Sequence, residues 1–203
     1  MIMNLVIDQG NTRTKAGVFL GYKLIEEFVF EDLTIGDLTG LKRRYRWENS
    51  IFSSVASPSE AWIERLKSMS RVFIEFSNQT PVPIENKYKT PETLGLDRLA
   101  VSVAANALHP DTNLLIIDAG TAITYDFVNA QNEYLGGNIS PGMDMRFKAL
   151  HRFTHRLPLV ESRDPGSLLG DDTYSAILSG VVKGIVFEMD GYITELKKEY
   201  PDL

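Results

Sequence analysis

Met3, Leu5, Val6 and Ile7 form an apolar run that ends at Asp8, which predicts a buried strand over residues 3–8. Gly10-Asn11-Thr12 follows as a turn. Strand formers at Val18-Phe19-Leu20 and Phe28-Val29-Phe30 flank Gly21-Tyr22 and predict two more strands, 15–20 and 23–30. A weak helix over about 37–46, a strand at Ile51–Val55, a helix over about 58–69 and a strand at Arg71–Phe76 come next. Ser57-Pro58-Ser59-Glu60 has the makings of a capping box for the second helix. Residues 78–93 show no period and read as a long loop. Leu96, Leu99, Ala100, Val103 and Ala107 then recur on one side of a helix running from about Leu94 to Leu108.

The pattern then begins again. Leu114-Leu115-Ile116-Ile117-Asp118 predicts a strand, followed by Ala119-Gly120-Thr121 and strands at 122–128 and 133–139. Helices over 143–153 and 172–198 close the chain, the last with Ile177, Val181, Ile185 and Met189 on one stripe. That stripe suits either a dimer contact or a cover for the second sheet. Asp8-Gln9-Gly10-Asn11-Thr12 and Asp118-Ala119-Gly120-Thr121-Ala122 thus share one context: apolar strand, Asp-x-Gly, strand, turn, strand. Two copies of one domain, 1–112 and 113–203, explain this better than a short-period solenoid.

Composition narrows the class. A hydrophobic fraction of 43% and a charged fraction of 24% over 203 residues describe an ordinary globular chain. No run is long enough to cross a bilayer and no secretory signal is visible, so no membrane association is expected. With no cysteine, disulfide scaffolds, thiolate metal sites and cysteine nucleophiles are excluded. A net charge of -6 disfavours nucleic acid as a partner. Lys42-Arg43-Arg44 with Arg46 reads as the solvated end of a helix.

The repeat also carries chemistry. A glycine after a strand lets backbone N–H groups approach phosphate oxygens. The first copy adds Asn11, Thr12, Thr14 and Lys15, donors and a cation that suit a polyphosphate; the second adds Thr121 and Thr124. Asp8, Asp118 and Asp126, at strand ends, are oxygen ligands fit for magnesium through water or for a monovalent cation. A plain hairpin turn at each Asp-x-Gly is the simpler alternative. Neither a P-loop G-x-x-x-x-G-K-[ST] nor a strand-borne G-x-G-x-x-G occurs. His151 and His155 have helical i, i+4 spacing, but no glutamate or third ligand accompanies them.

Asp8-Gln9-Gly10-Asn11-Thr12-Arg13-Thr14-Lys15 resembles the first phosphate motif of the acetate and sugar kinase/Hsp70/actin superfamily, and more narrowly the D-x-G-N-T-x-x-K of type III pantothenate kinases. Four further segments resemble that family in order: Leu94-Gly95-Leu96-Asp97-Arg98, Asp118 to Asp126 (D-A-G-T-A-x-T-x-D), Gly136 to Gly142 (G-G-x-I-x-P-G) and Gly170 to Gly180 (G-x-x-T-x-x-A-I-x-S-G). The resemblance implies an α/β fold of two RNase H-like (actin-like ATPase) domains, each a mixed sheet with three leading strands and flanking helices. It implies transfer of the γ-phosphoryl of ATP to pantothenate, giving 4'-phosphopantothenate at the start of coenzyme A synthesis, in a cytoplasmic homodimer. On the same basis Asp8, Gln9, Gly10, Asn11, Thr12, Arg13, Thr14 and Lys15 form the ATP phosphate loop and Thr121 also binds ATP. Asp97 is the general base. Tyr88, Gly95, Leu96, Asp97, Arg98 and Thr173 line the pantothenate pocket, and Asp118 holds a potassium or ammonium ion. Magnesium arrives with ATP.

The residues themselves support part of this. Arg98 could grip the pantothenate carboxylate in two bonds, or form only a surface ion pair. Asp97 in a first helical turn is also simply favoured by the helix dipole. Thr173 could be no more than a helix cap or first-turn residue. The family pattern continues with a further strand and helix carrying T-G-G, whereas this sequence stops at Leu203, either as a piece or as a copy lacking part of the nucleotide pocket. A non-catalytic nucleotide-binding regulator on the same fold, or a kinase for another small alcohol, are the competing functions.

Overall fold

The computed structural model describes residues 2–10, 13–54 and 60–203. Asn11, Thr12, Val55 and the Ser57–Ser59 part of the expected capping box lie outside them. The chain divides into two compact units, Met1–Pro81 and Val82–Leu203. The repeat restarts at 113, but the helix that precedes it belongs with the second unit, to whose strands it packs.

The first unit runs β1 (Met3–Gln9), β2 (Thr14–Leu20), β3 (Lys23–Phe30), α1 (Ile35–Tyr45), β4 (Asn49–Ser54), α2 (Glu60–Ser68) and β5 (Val72–Glu75). Its sheet has the order β3-β2-β1-β4-β5, antiparallel among the first three strands and parallel from β1 to β4 and β5. The two-residue period sends Leu5 and Ile7 to the same face as their partners Val18 and Ala16. These four are at most 1% exposed and meet Leu38 and Leu41 of α1, Ile63 and Leu66 of α2, and Trp47. Each fully buried Leu or Ile here contributes about 1.5–3 kcal/mol.

The basic cluster at the end of α1 is more than a solvated helix end. The Lys42 ammonium donates to the carbonyls of Trp47 and Met69 and lies 4.2 Å from the centre of the Trp47 ring. Burial pulls its pKa below the usual lysine range. Arg44 pairs with Glu26 at 2.9 Å, and Arg46 caps the helix in a left-handed conformation, φ 50°. The charges of Lys42 and Arg44 are thus used within the fold.

The second unit contains β6 (Glu85–Asn86), α3 (Leu96–Leu108), β7 (Leu114–Ala119), β8 (Ala122–Val128), β9 (Glu133–Pro141), α4 (Met143–Phe153) and α5 (Thr173–Glu199). Its sheet has the order β6-β9-β8-β7, with β6 parallel and the rest antiparallel. The expected long loop at 78–93 thus supplies β6 and a 3₁₀ turn at Pro91–Thr93. On one face of β8, Ile123 and Tyr125 pack with Phe147 of α4 and with Ile177, Leu178, Val181 and Ile185 of α5. The α5 stripe therefore covers its own sheet.

The face of α3 differs from the expected stripe. Leu99 is buried, but Ala100 and Ala107 are exposed, and the other buried positions of the helix are polar: Arg98, Ser102 and Asn106. Three residues at i, i+4 and i+8 form a polar line, which hydrophobic periodicity does not register.

One clamp ties four elements together. Arg146 of α4 donates to Glu188 of α5 at 2.5 Å and to Ser140 of β9 at 2.8 Å, and the Tyr125 hydroxyl of β8 donates to Glu188 at 3.0 Å. Burial opposes the Glu188 charge, but the bonds from Arg146, Ser140 and Tyr125 outweigh it and hold its pKa below the usual glutamate range. Burial and the same carboxylate push Tyr125 up to about 12. A lowered folded-state pKa stabilises above the unfolded value, about 4.3, and the contribution vanishes as pH falls through the folded value. The stability gap between wild type and Glu188→Gln is therefore expected to be full at about pH 7 and to shrink below about pH 4. Urea midpoints measured across that range check it; a gap that stays constant would contradict the clamp.

Candidate active site

In the first unit, Asp8 and Lys15 stand opposite each other in the β1–β2 ladder, which places both side chains on one face beside the turn. Both are exposed, and Thr14 between the turn and Lys15 is 3% exposed. Gly10 N–H donates to the Arg13 carbonyl at 3.0 Å and closes the turn, and Gln9 accepts from Ser54 at 2.9 Å. Asn11 and Thr12 lie outside the described residues.

In the second unit, three of the sequence motifs converge. Gly95 is the N-cap of α3 and offers no capping side chain. The carboxylate of Asp97 lies back over that end of the helix, where Oδ1 accepts the Arg98 N–H at 2.9 Å. A Cβ on Gly95 would stand 2.5 Å from the same oxygen, so the glycine makes room for this placement. Asp97 is exposed, whereas Arg98, next in the chain, is 5% exposed.

Arg98 reaches into the sheet. Its Nε and Nη2 donate to Asp126 Oδ1 at 2.9 and 2.6 Å, and Nη2 also donates to the Tyr134 hydroxyl at 3.0 Å. Tyr134 donates in turn to Asp126 Oδ1 at 2.6 Å. Asp126 and Tyr134 are both 0% exposed. Burial, then the Asp126 carboxylate, push the Tyr134 hydroxyl well above the ordinary tyrosine range. Tyr88 packs edge-on to Tyr134, 6.1 Å between ring centres, with its own ring 5.9 Å from the Arg98 guanidinium carbon.

Strand β9 is shaped around this group. Its pairing with β8 slips after Phe127, where Leu135 is the extra residue and Gly136 takes φ +137°. Gly137 pairs with Asp126, and a Cβ there would lie 2.7 Å from both Arg98 Nη2 and Asp126 Oδ1. The Gly136-Gly137 pair, which reads in the sequence as turn punctuation or pocket lining, is what admits the guanidinium.

Asp126 is thereby corrected as a candidate cation ligand: it is fully buried and spends Oδ1 on Arg98 and Tyr134. A charged residue inside the run Ile123, Tyr125, Phe127, Val128 was the sequence signal of a buried partner. Tyr134 was not singled out and had no such signal. The two-bond edge of Arg98, Nε with Nη2, is taken by Asp126 and is not open for a ligand carboxylate.

Asp118 is exposed near the end of β7, opposite Thr124. Thr121, in the turn after it, lines a cavity of about 320 Å³ with Gly120, Asp144 and Lys148. Gly142 N–H donates to the Thr121 carbonyl at 3.1 Å, and a Cβ on Gly142 would come within 2.3 Å of the Gly120 and Thr121 carbonyls. The start of α4 thus abuts the turn only because residue 142 has no side chain.

Thr173 is the first residue of α5, after the Asp172 N-cap, whose carboxylate accepts from Ser175 N–H at 2.6 Å. It lines a groove between α4 and α5 with Arg146, Leu150 and Leu157, and no hydrogen bond of the Arg98 group reaches it. His151 contacts the Leu157 carbonyl through Nδ1 at 2.9 Å. Among the described residues no three His, Asp or Glu side chains gather as a metal cluster, and no helix is long and apolar enough to cross a membrane.

Comparison with known proteins agrees with these motifs. The family model for type III pantothenate kinase matches residues 4–195. A type III pantothenate kinase from Phocaeicola vulgatus is 48% identical over 201 residues, covering 99% of this chain and 83% of that protein. Its counterpart from Bacteroides fragilis is 42% identical over the same shares, and that from Christiangramia forsetii 43% identical over 204 residues. Among solved structures, a Baf family protein from Campylobacter jejuni shares the fold, with a TM-score of 0.54 and 24% identity over 92% of this chain and 78% of its own. The chain belongs to the type III pantothenate kinase family.

Proposed function

We propose that this chain performs its family's reaction, moving the γ-phosphoryl group of ATP to the terminal hydroxyl of pantothenate, with Asp97 as the base. The observation that carries the residue assignment is the placement of Asp97: an exposed carboxylate held over the first turn of α3, beside the anchored Arg98. Phosphoryl transfer through a loose transition state asks mainly for a positioned acceptor and stabilised charge. In this reading Asp97 accepts the hydrogen bond, and finally the proton, of the attacking hydroxyl. Pantothenate lies along Gly95 to Arg98 and Tyr88, and Thr173 belongs to its pocket as well.

In the first unit the phosphates of ATP lie on the turn from Asp8 to Lys15, with the Lys15 ammonium as the cation; in the second unit Thr121 is the residue assigned to ATP. Magnesium arriving with ATP would supply charge neutralisation; the carboxylate of Asp8 is a hard oxygen donor of the kind it would take through water, and so, in the second unit, is that of Asp118. Asp118 also suits a potassium or ammonium ion. A cytoplasmic homodimer belongs to the same reading. Nothing favours the non-catalytic regulator: Asp97, Lys15 and Asp118 are all present.

The test is ADP release by the purified protein with ATP, magnesium and potassium, with and without pantothenate. Pantothenate-dependent ADP is expected, with a lower rate when sodium replaces potassium. Release that ignores pantothenate under every salt would sink the reading, and indifference to the cation would remove Asp118 from its role.

A further inference from the structure

We infer that Asp126 is a positioning residue for pantothenate recognition, acting through Arg98; the inference rests on the pocket assignment just given. Asp126 Oδ1 accepts from Arg98 Nε, from Arg98 Nη2 and from the Tyr134 hydroxyl, while Tyr134 accepts from Nη2. The three side chains form a closed triangle with no freedom to swing. Its cost is visible: Asp126 Oδ2 is buried without a hydrogen-bond partner. A buried ion pair is seldom the cheapest way to stabilise a fold, since apolar side chains of the same volume usually serve as well. This pair is better explained by what it orients.

The orientation is specific. With Nε and Nη2 turned to Asp126, Nη1 is the nitrogen of Arg98 left for an approaching anion; the Tyr88 ring stands 5.9 Å from the guanidinium carbon. Gly137 leaves space for this one arrangement, because a Cβ would meet Nη2 and Oδ1 at 2.7 Å. Asp126 therefore sets which face of the cation the substrate carboxylate meets, without touching the substrate.

The experiment compares wild type, Asp126→Asn, Arg98→Lys, their double variant and Tyr134→Phe in steady-state kinetics with pantothenate and ATP varied in turn. Asp126→Asn is expected to raise KM for pantothenate by about 10-fold or more, with KM for ATP within about two-fold and kcat changed less. In the Arg98→Lys background the same change should add less than about two-fold, because the effect passes through Arg98. Tyr134→Phe, which keeps the ion pair, should raise KM for pantothenate by about three-fold. If Asp126→Asn fails to fold, Tyr134→Phe carries the test, and an unchanged KM there overturns the inference. It is also overturned by an unchanged pantothenate KM in a folded Asp126→Asn, by equal rises in both KM values, or by additivity with Arg98→Lys. Wild-type protein without pantothenate-dependent turnover would instead fail the pocket assignment itself, and the inference with it.

Discussion

Asp97→Asn is expected to leave the protein folded and to lower kcat with ATP and pantothenate at least about 100-fold, the scale of a lost acid–base group. The fold should survive because the side chain is exposed and the hydrogen bond it accepts at Oδ1 from the Arg98 N–H can be accepted equally by an amide oxygen. The loss in turnover arises because an amide cannot take the proton of the attacking hydroxyl. Early proton removal matters little in a loose transition state, so much of the effect lies in losing a charged acceptor that aligns the nucleophile. Circular dichroism with steady-state rates checks both halves. Turnover within a few-fold of wild type would remove Asp97 from the mechanism.

Arg98→Met is expected to cost about 3–5 kcal/mol of stability, the usual penalty when one member of a buried ion pair is deleted. Asp126, at 0% exposure, would lose two of the three donors on Oδ1, in a place where Oδ2 already has none. Against a total of about 5–15 kcal/mol for an ordinary domain this is a large share. Pairing the change with Asp126→Leu should restore part of the loss, since the stranded carboxylate is then gone. Denaturant midpoints of the two variants measure it. A loss below about 1 kcal/mol in Arg98→Met would mean the ion pair is not holding α3 to the sheet.

Legibility followed the physics of each signal. β1 and β7 are readable because their apolar runs have the right length and stop at Asp-x-Gly. The α5 stripe is readable because Ile177, Val181 and Ile185 face an apolar sheet, as periodicity assumes. The face of α3 was misassigned for the converse reason: Ala100 and Ala107 carry little hydrophobic weight and are exposed, while Arg98, Ser102 and Asn106 are buried by contacts that hydropathy scores as unfavourable. Asp97 and Arg98 were legible as a motif, but the partner of Arg98 was not. Asp126 lies 28 residues away on another element, and only the fold brings them together. Strand β6 went unseen because two residues are too few to show a period.

The polar seating of α3 has a geometric result distinct from its energy. An apolar stripe against a sheet tolerates small displacements, because one methyl group replaces another and neighbouring settings differ little in energy. The bonds from Arg98 to Asp126 and Tyr134 allow no such interchange. Turning the helix about its axis, or sliding it by a turn, would break all of them together. Beside Leu99, which excludes water at the contact, the ion pair acts as an index pin that sets the helix at a single angle. Asp97, one residue before the pin, inherits that setting.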